Sequence, residues 1–451
     1  LSEDRVLVIG TTPDYIANIC QNLPGRAVFV TDPILRRKSR EKAPDSKSEI
    51  LCNLSDFSGI LDRIKSHCLR WDINLSGITC FDCEWLELAA RVGRIFSLEY
   101  SAAQTVINCR DKRLTKEIWQ ANGVRCPKFK ILRSGLEAIQ FIADIGCPIV
   151  IKPQTGSGSE LTFRCDNSDQ ISQLYQAVRD GLETRKGLPL FSSSYSGNGQ
   201  SLSPSSILAE EFIDGLEFSS DIIIDGAGIE IIRIAEKIGY LGSSFGTTLA
   251  YLIPARLPGW LTHEYLKEKL LGAAHALGVN NAICMVDFMI TRDEIVFLEL
   301  TPRIGGDCLP PLIKESSGLN MLKIALDFAE GKHPTIPPES RWQSLVGLRL
   351  FSHRDGIIRH IDTRNLLSDI RVLDVYLKRQ AGDHIKLPPE EYDSWLLGHV
   401  IFRPREIDNL SDQCLELREK LIVDMEPYHE QESPEPNFTN SQTARTKDSA
   451  S

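Results

Sequence analysis

Residues 286–307 read VDFMITRDEIVFLELTPRIGGD, and the way this stretch folds governs how the rest of the chain is read. Met285 to Ile290 and Ile295 to Leu300 are rich in Val, Ile and Phe and are expected to be strands joined by a polar turn. Each carries one acid, Asp287 and Glu299, and Thr301, Arg303 and the pair Gly305-Gly306 follow at once. Carboxylates on a buried hairpin are costly unless a cation compensates them. A hard divalent cation such as Mg2+ takes oxygen ligands and usually bridges to phosphate oxygens, so the stretch points to metal-assisted chemistry on a nucleotide. If only Arg292 and Asp293 form the loop, Asp287 pairs with Leu298 and Glu299 turns to the opposite face. If Glu294 joins the loop, Asp287 sits opposite Glu299 and both face one way. The metal reading requires the second register, or a bulge that achieves it. No Gly occupies the loop, so turn chemistry leaves both registers open. The plain alternative is an edge hairpin with two solvated acids.

The chain around this hairpin has 451 residues, enough for two to four domains. It is 25% charged and 42% hydrophobic, an ordinary globular composition. A net charge of −10 argues against nucleic acid as a partner. No apolar run has the length needed to span a bilayer, and the start LSEDRVLVIG lacks the order of a signal peptide, so a cytoplasmic location is expected. The 12 Cys are scattered through expected strands and helices, as in a reduced protein. The one C-x-x-C, Cys80 to Cys83, has no second pair for a zinc site and is read as structural.

The fold class expected is α/β and α+β in several domains. Residues 1–110 alternate strand and helix signals (RVLVIG, AVFVTD and SGITCF as strands, Tyr15 to Leu23 and Glu84 to Gly93 as helices) and read as a parallel α/β domain. Its first turn, GTTPDY, is not G-x-G-x-x-G, which argues against a dinucleotide there. Residues 111–338 form a second domain, including a Ser/Gly-rich loop at 184–206. SILAEEFIDGLEFSSDIIIDG reads as two strands around a turn, His263 to Leu277 as an amphipathic helix, and 236–258 as a Gly-rich loop lining a pocket. Residues 339–426 return to strands, with Leu410 to Val423 as a helix, and 427–451 read as a disordered tail.

Several pieces gather into one nucleotide site. Lys152 ends the apolar strand IVIKP and runs into QTGSGSE, where small residues let backbone N–H groups approach phosphate and the lysine adds a point charge. The lysine precedes the glycines, so this is not a P-loop. Lys112 opens a helix and offers a second phosphate contact, and ILAEEFIDGLE holds Glu210, Glu211 and Glu217, suited to an adenine edge and ribose hydroxyls. Taken singly, each is an ordinary surface lysine, a Gly/Ser turn or a solvated strand end. His353-Arg354-Asp355 spells HRD, but no Asn follows at the spacing a protein kinase needs and no D-F-G exists.

The order of these pieces (Lys in DK, Lys-Pro with a Gly/Ser loop, E-E-F-I-x-G-x-E, then D-F and E-L-T-P-R-I-G-G) resembles the ATP-grasp superfamily over about residues 1–425. The C-terminal module looks like that of biotin carboxylase and of amino-acid ligases. The resemblance implies that residues 111–338 form a two-lobed domain with a mobile lid at about 125–208, and that ATP and Mg2+ (or Mn2+) are the cofactors. Lys112 and Lys152 would hold phosphates under a lid loop containing Gly156, Ser157, Gly158 and Ser159. Glu210, Glu211, Phe212 and Ile213 would read adenine, Glu217 would hold ribose, and Asp287 and Glu299 would hold the metal. Arg303 would stabilise an acyl phosphate, with Gly305, Gly306 and Asp307 toward the substrate. One position departs from the family: Thr301 stands where a metal-ligating Asn is usual. The activity implied is joining a carboxylate to an amine, both small molecules. Alternatives are a biotin-carboxylase-like carboxylase, against which IGGDCLPPLI replaces the expected E-H-x-V-T-E-like sequence, and a non-catalytic ATP-binding module. The first domain and the C-terminal module offer surfaces for a homodimer.

Overall fold

The computed structural model describes residues 2–191, 206–239 and 244–428. RVLVI and AVFVT lack polar breaks, the pattern of strands buried on both faces. They form β1 (Glu3–Ile9) and β2 (Ala27–Thr31), which join β3 (Glu49–Leu51) and β4 (Ile73–Thr79) in a parallel sheet of order β3-β2-β1-β4. β3 escaped the sequence reading because three residues carry no period. This sheet is docked tightly on the helix Met321–Ala329: a Cβ on Gly77 of β4 would lie 2.1 Å from the Ala329 carbonyl oxygen. Arg26 bridges Asp327 and Glu330 at 2.9 and 2.8 Å at the same seam.

A second, antiparallel sheet holds β5 (Phe129–Leu132), β6 (Ile149–Pro153), β7 (Phe163–Cys165) and β8 (Ile207–Glu211) in the order β5-β8-β6-β7. The helices Gly135–Ile145 and Ile171–Thr184 cover it over a core that includes Ile149, Ile151, Leu161, Val178 and Ile207. The remaining strands are β9 (Leu216–Asp225), β10 (Gly228–Gly239), β11 (Thr248–Ile253), β12 (Ala282–Ile290), β13 (Ile295–Thr301), β14 (Leu345–Phe351), β15 (Gly356–Asp362), β16 (Val372–Leu377), β17 (His384–Ile385), β18 (Leu396–Phe402) and β19 (Ile422–Glu426). Eight of them form one antiparallel sheet, β13-β12-β9-β10-β11-β14-β18-β16, and β17-β15-β19 form a small separate one. The long sheet crosses into the C-terminal module without a break, through Ala250↔Leu348 and Leu252↔Val346.

The two strands read around a turn are β8 and β9, and they belong to different sheets, so residues 212–215 carry the chain from one lobe to the other. Two expectations are corrected. Within 236–258, residues 236–239 and 248–253 are strand, the second because TLAYLI is a β-branched and apolar run whose partners on both sides bury it. The helix expected over 410–423 ends at Glu419, and Ile422–Glu426 pairs with β15. Most of the 184–206 loop (192–205), residues 240–243 and the tail from 429 lie outside the described residues. No described helix is long and apolar enough to cross a membrane.

Candidate active site

The acidic hairpin leaves its turn in the first register, with Ile290 opposite Ile295, and a bulge then brings the acids into the pairing that the metal reading requires. Asp287 is paired with Glu299, while the next residue, Phe288, is paired with Phe297, so Leu298 is the extra residue of a β-bulge. The bulge turns both acids to one face. Its carbonyl is held from the neighbouring helix: Lys116 Nζ donates to the Leu298 oxygen at 3.3 Å. Asp287 Oδ1 is buried with no hydrogen-bond partner in the chain, while Oδ2 lies 3.5 Å from Lys237 Nζ. Lys237 also pairs with Glu217, and the two carboxylates hold its pKa above the usual lysine value against the opposing effect of burial. Thr301, two residues beyond Glu299 and so on its face of β13, donates its hydroxyl to Glu299 Oε1 at 3.4 Å.

This donor set fits Mg2+. Two carboxylates and a hydroxyl supply few protein oxygens, and Mg2+ fills the rest of its shell with waters and substrate phosphate. Asp287 Oδ1, buried and without a hydrogen-bond partner of its own, is the oxygen left for a cation. Among the described residues there is no group of three or more His, Cys, Asp or Glu that could hold a metal.

Opposite the acids is a cluster of lysines. Asp111 caps the helix Lys112–Ala121 by accepting from the Arg113 and Leu114 N–H groups, and also accepts from Gln154 Nε2 at 2.7 Å. The cap sets Lys112 at the first helical position, where its Nζ donates to the Gly156 carbonyl at 3.0 Å and lies 4.0 Å from Glu299. Lys116, one turn on and fully buried, lies 3.2 Å from Glu210 Oε1, and Lys152 reaches Glu210 Oε2 at 2.8 Å. Burial would raise the pKa of Glu210, but Lys116 and Lys152 outweigh it and hold the carboxyl below its usual range. Glu299 is likewise lowered, burial being overcome by Lys112, Lys152 and Arg303. Burial depresses the pKa of Lys112 and Lys116 despite the acids beside them.

The other expected nucleotide residues lie around this cluster. Gly156 and Gly158 take positive φ (127° and 67°), as does Ser159 (60°), whose hydroxyl donates to the Gly246 carbonyl at 2.8 Å. Ser157 lies between them on the same loop. Glu211 accepts from the Lys128 N–H at 3.0 Å and pairs with Arg125 at 3.3 Å, so its carboxylate is already engaged. Phe212 lies under the Arg164 guanidinium, 4.3 Å from the ring centre, and beside Phe245. Ile213 sits next to it on the connection to β9.

Arg303 leaves the hairpin toward the first domain, donating through Nε to Cys83 Sγ at 3.1 Å and through Nη1 to its neighbour's carbonyl, Ile304 O, at 2.6 Å. Burial works against its charge, but Cys83, Tyr15 and Asp82 keep it firmly cationic. Asp82 itself is pushed up to about 8, by burial first and by Glu84 next. The Gly305 N–H donates to Asp221 Oδ1 at 2.7 Å, and Asp221 is paired with Arg233 at 2.8 Å with both side chains fully buried. A Cβ on Gly305 would stand 2.7 Å from Arg233 Nη2, whereas Gly306 has room. Asp307, at φ 60°, is ion-paired with Arg349.

The sequence reading missed Lys116, Lys237, Arg349 and the Asp221–Arg233 pair. Lys116 had a signal, since four residues after Lys112 on a helix is the same face. The other three come from strands whose neighbours only the sheet order reveals.

Residues 145–311 match the family described as the ATP-grasp domain. The chain is similar to D-alanine–D-alanine ligase of Cupriavidus metallidurans, 25% identical over 243 residues that span 52% of this chain and 67% of that protein. In fold it is similar to an L-amino acid ligase from Bacillus licheniformis, with a TM-score of 0.70 and 19% identity over 94% of this chain and 100% of that one. It is also similar to the biotin carboxylase domain dimer of the Hydrogenobacter thermophilus 2-oxoglutarate carboxylase, solved with MgADP, at a TM-score of 0.63 and 16% identity over 93% and 90% of the two chains. Residues 145–311 are thus an ATP-grasp domain, and the chain's likeness to C–N-bond-forming ligases supports an enzyme that uses ATP with Mg2+ or Mn2+.

Proposed function

We propose that this enzyme joins a small carboxylic acid, an amino acid by preference, to an amine through an acyl phosphate, releasing ADP and phosphate. One observation carries the reading. The cross-strand pair Asp287–Glu299 faces a cluster of lysines, and Arg303 follows four residues later in a loop pinned by Asp221. Phosphoryl transfer needs positive charge around the transferred group and a cationic, planar partner for the acid, and these residues supply both.

In this reading Lys112 and Lys152 hold the ATP phosphates, Lys152 leaving Glu210 to do so, while Gly156 to Ser159 cover them. The 210–213 segment, where the chain passes between lobes, reads adenine, and Glu217 holds the ribose. Asp287, Glu299 and Thr301 hold Mg2+, which when bound neutralises charge on the phosphoryl oxygens. Arg303 offers two parallel donors to the substrate carboxylate and keeps its charge as the acyl phosphate forms. Gly305 and Gly306 let the substrate approach the backbone, and Asp307 attracts an ammonium group when Arg349 shares its carboxylate.

The test is ADP release from Mg-ATP with pools of amino acids and small acids, each with and without an amine. Turnover is expected only when acid and amine are both present, and Glu299→Ala should lower it by on the order of 10²-fold or more. ADP release indifferent to added acid, or unchanged in the variant, would contradict the assignment.

A further inference from the structure

The loop placed over the phosphates, residues 156–162, is not held by its own lobe alone. Its free side is tied to the C-terminal module by one arginine. Arg185 lies just past the helix Ile171–Thr184 and is 6% exposed. All of its donors are used. Nε donates to Glu160 Oε1 at 2.5 Å, on the loop itself. Nη1 donates to the Gly181 carbonyl and the Thr184 hydroxyl, both at 3.1 Å, which ties the arginine to its helix. Nη2 crosses to the C-terminal module and donates to the Pro389 and Glu390 carbonyls at 3.0 and 3.1 Å. Tyr392, from the same crossing segment, stacks near the guanidinium at 5.9 Å and packs against the apolar core of the lid lobe. The Leu161 backbone N–H donates to its hydroxyl oxygen.

Leu161 is the second point of attachment. It is fully buried at φ 56°, a conformation L-residues adopt only when their surroundings impose it. With Ser159 also at positive φ, the loop is bent into a shape that Arg185, Tyr392 and the Ser159–Gly246 hydrogen bond maintain together. Two of the three contacts lead to residues 389–392, more than 200 positions along the chain.

We propose that Arg185 and the segment 389–392 form a clasp that holds the lid loop shut during turnover, making Arg185 a positioning residue. This rests on the reading above, in which the loop covers an acyl phosphate. An acyl phosphate open to solvent is attacked at its acyl carbon by water instead of the amine. The bond to phosphate breaks, free acid and phosphate return, and ADP has formed without amide. A lid that opens too readily therefore uncouples ATP cleavage from product.

Arg185→Ala and Tyr392→Phe test the clasp; the second removes one hydroxyl from a half-buried ring and leaves its packing. Two readouts are made on the full chain. The first is hydrogen exchange of the amides of residues 160–162, where Glu160 and Thr162 donate within the loop to Ser157 and Ser159. Exchange there should quicken about tenfold or more in both variants, while the amides of β9 and β12 keep wild-type rates. The second is the ratio of ADP to amide, near one in the wild type and several-fold higher in the variants, with the KM for ATP raised and Arg185→Lys partly restoring both. Folded variants with wild-type exchange at 160–162 would overturn the clasp. Exchange does not depend on turnover, so a wild type that makes no amide counts against the ligase reading and leaves the clasp to be judged on exchange.

Discussion

Glu210 shows how much one buried charge decides. It is 2% exposed and sits between Lys116 and Lys152, so its removal leaves the fully buried Lys116 and the partly buried Lys152 without the carboxylate they share. Breaking such a pair from one side costs about 3–5 kcal/mol, and Glu210→Ala should lose about that much in urea denaturation. The pH dependence follows from its lowered pKa. A carboxyl depressed in the folded state contributes stability above the ordinary Glu value, about 4.3, and loses it as pH falls through the folded value. The stability gap between wild type and Glu210→Gln should stay constant from pH 7 down to about 5 and close in more acid solution. A gap that widens on acidification would show that the lysines do not hold Glu210 charged. Glu210 was legible as an acid in a suggestive run but not as the partner of two lysines, because Lys152 meets it only when β6 pairs with β8, and Lys116 reaches it from a helix.

At the scale of elements, the hairpin and the loop after it set the geometry. The sequence stated the condition for the hairpin, two acids on one face, but could not choose the register, since a bulge leaves no mark in composition. The Leu298 bulge resolves it, and Lys116 is the residue that holds the bulge from outside. The next loop depends on Gly305, whose missing Cβ makes room for Arg233. Gly305→Ala would push the loop away from Asp221 and shift Arg303 with it. A displacement near 1 Å in a positioning group costs about 10²-fold, so kcat should fall by about that factor with thermal stability reduced less than in Glu210→Ala. A variant with normal kcat would mean that the Asp221 anchor does not position Arg303. The pair Gly305-Gly306 looked uniform in sequence, yet only the first is tightly confined; Asp221 and Arg233, which confine it, carried no signal because they lie in apolar strands.

For the whole molecule, the eight-stranded sheet is the unit that matters. The change in pattern near residue 338 was legible, but strand order was not, and β14 pairs with β11 across that point. Leu249, Ala250 and Leu252 share one apolar core with Val346, Leu348 and Phe402. A chain ending at 338 would leave β11 as an open edge above an uncovered core and is expected to aggregate on expression; recovery of a monomeric, cooperatively unfolding fragment would contradict this. The parallel α/β sheet and the order of the nucleotide motifs could be read in advance because local runs carry them. The joining of the lid to residues 389–392 could not, since nothing local links positions so far apart.

The central claim is that this site converts a carboxylate into an acyl phosphate, and trapping that species tests it most directly. Wild-type enzyme with Mg-ATP, a pool of amino acids and hydroxylamine should yield hydroxamate in step with ADP, with none formed when ATP is omitted or when Glu299→Ala replaces the wild type. ADP formed without hydroxamate at any acid tested would contradict the account, because the site would then be cleaving ATP without activating a carboxylate.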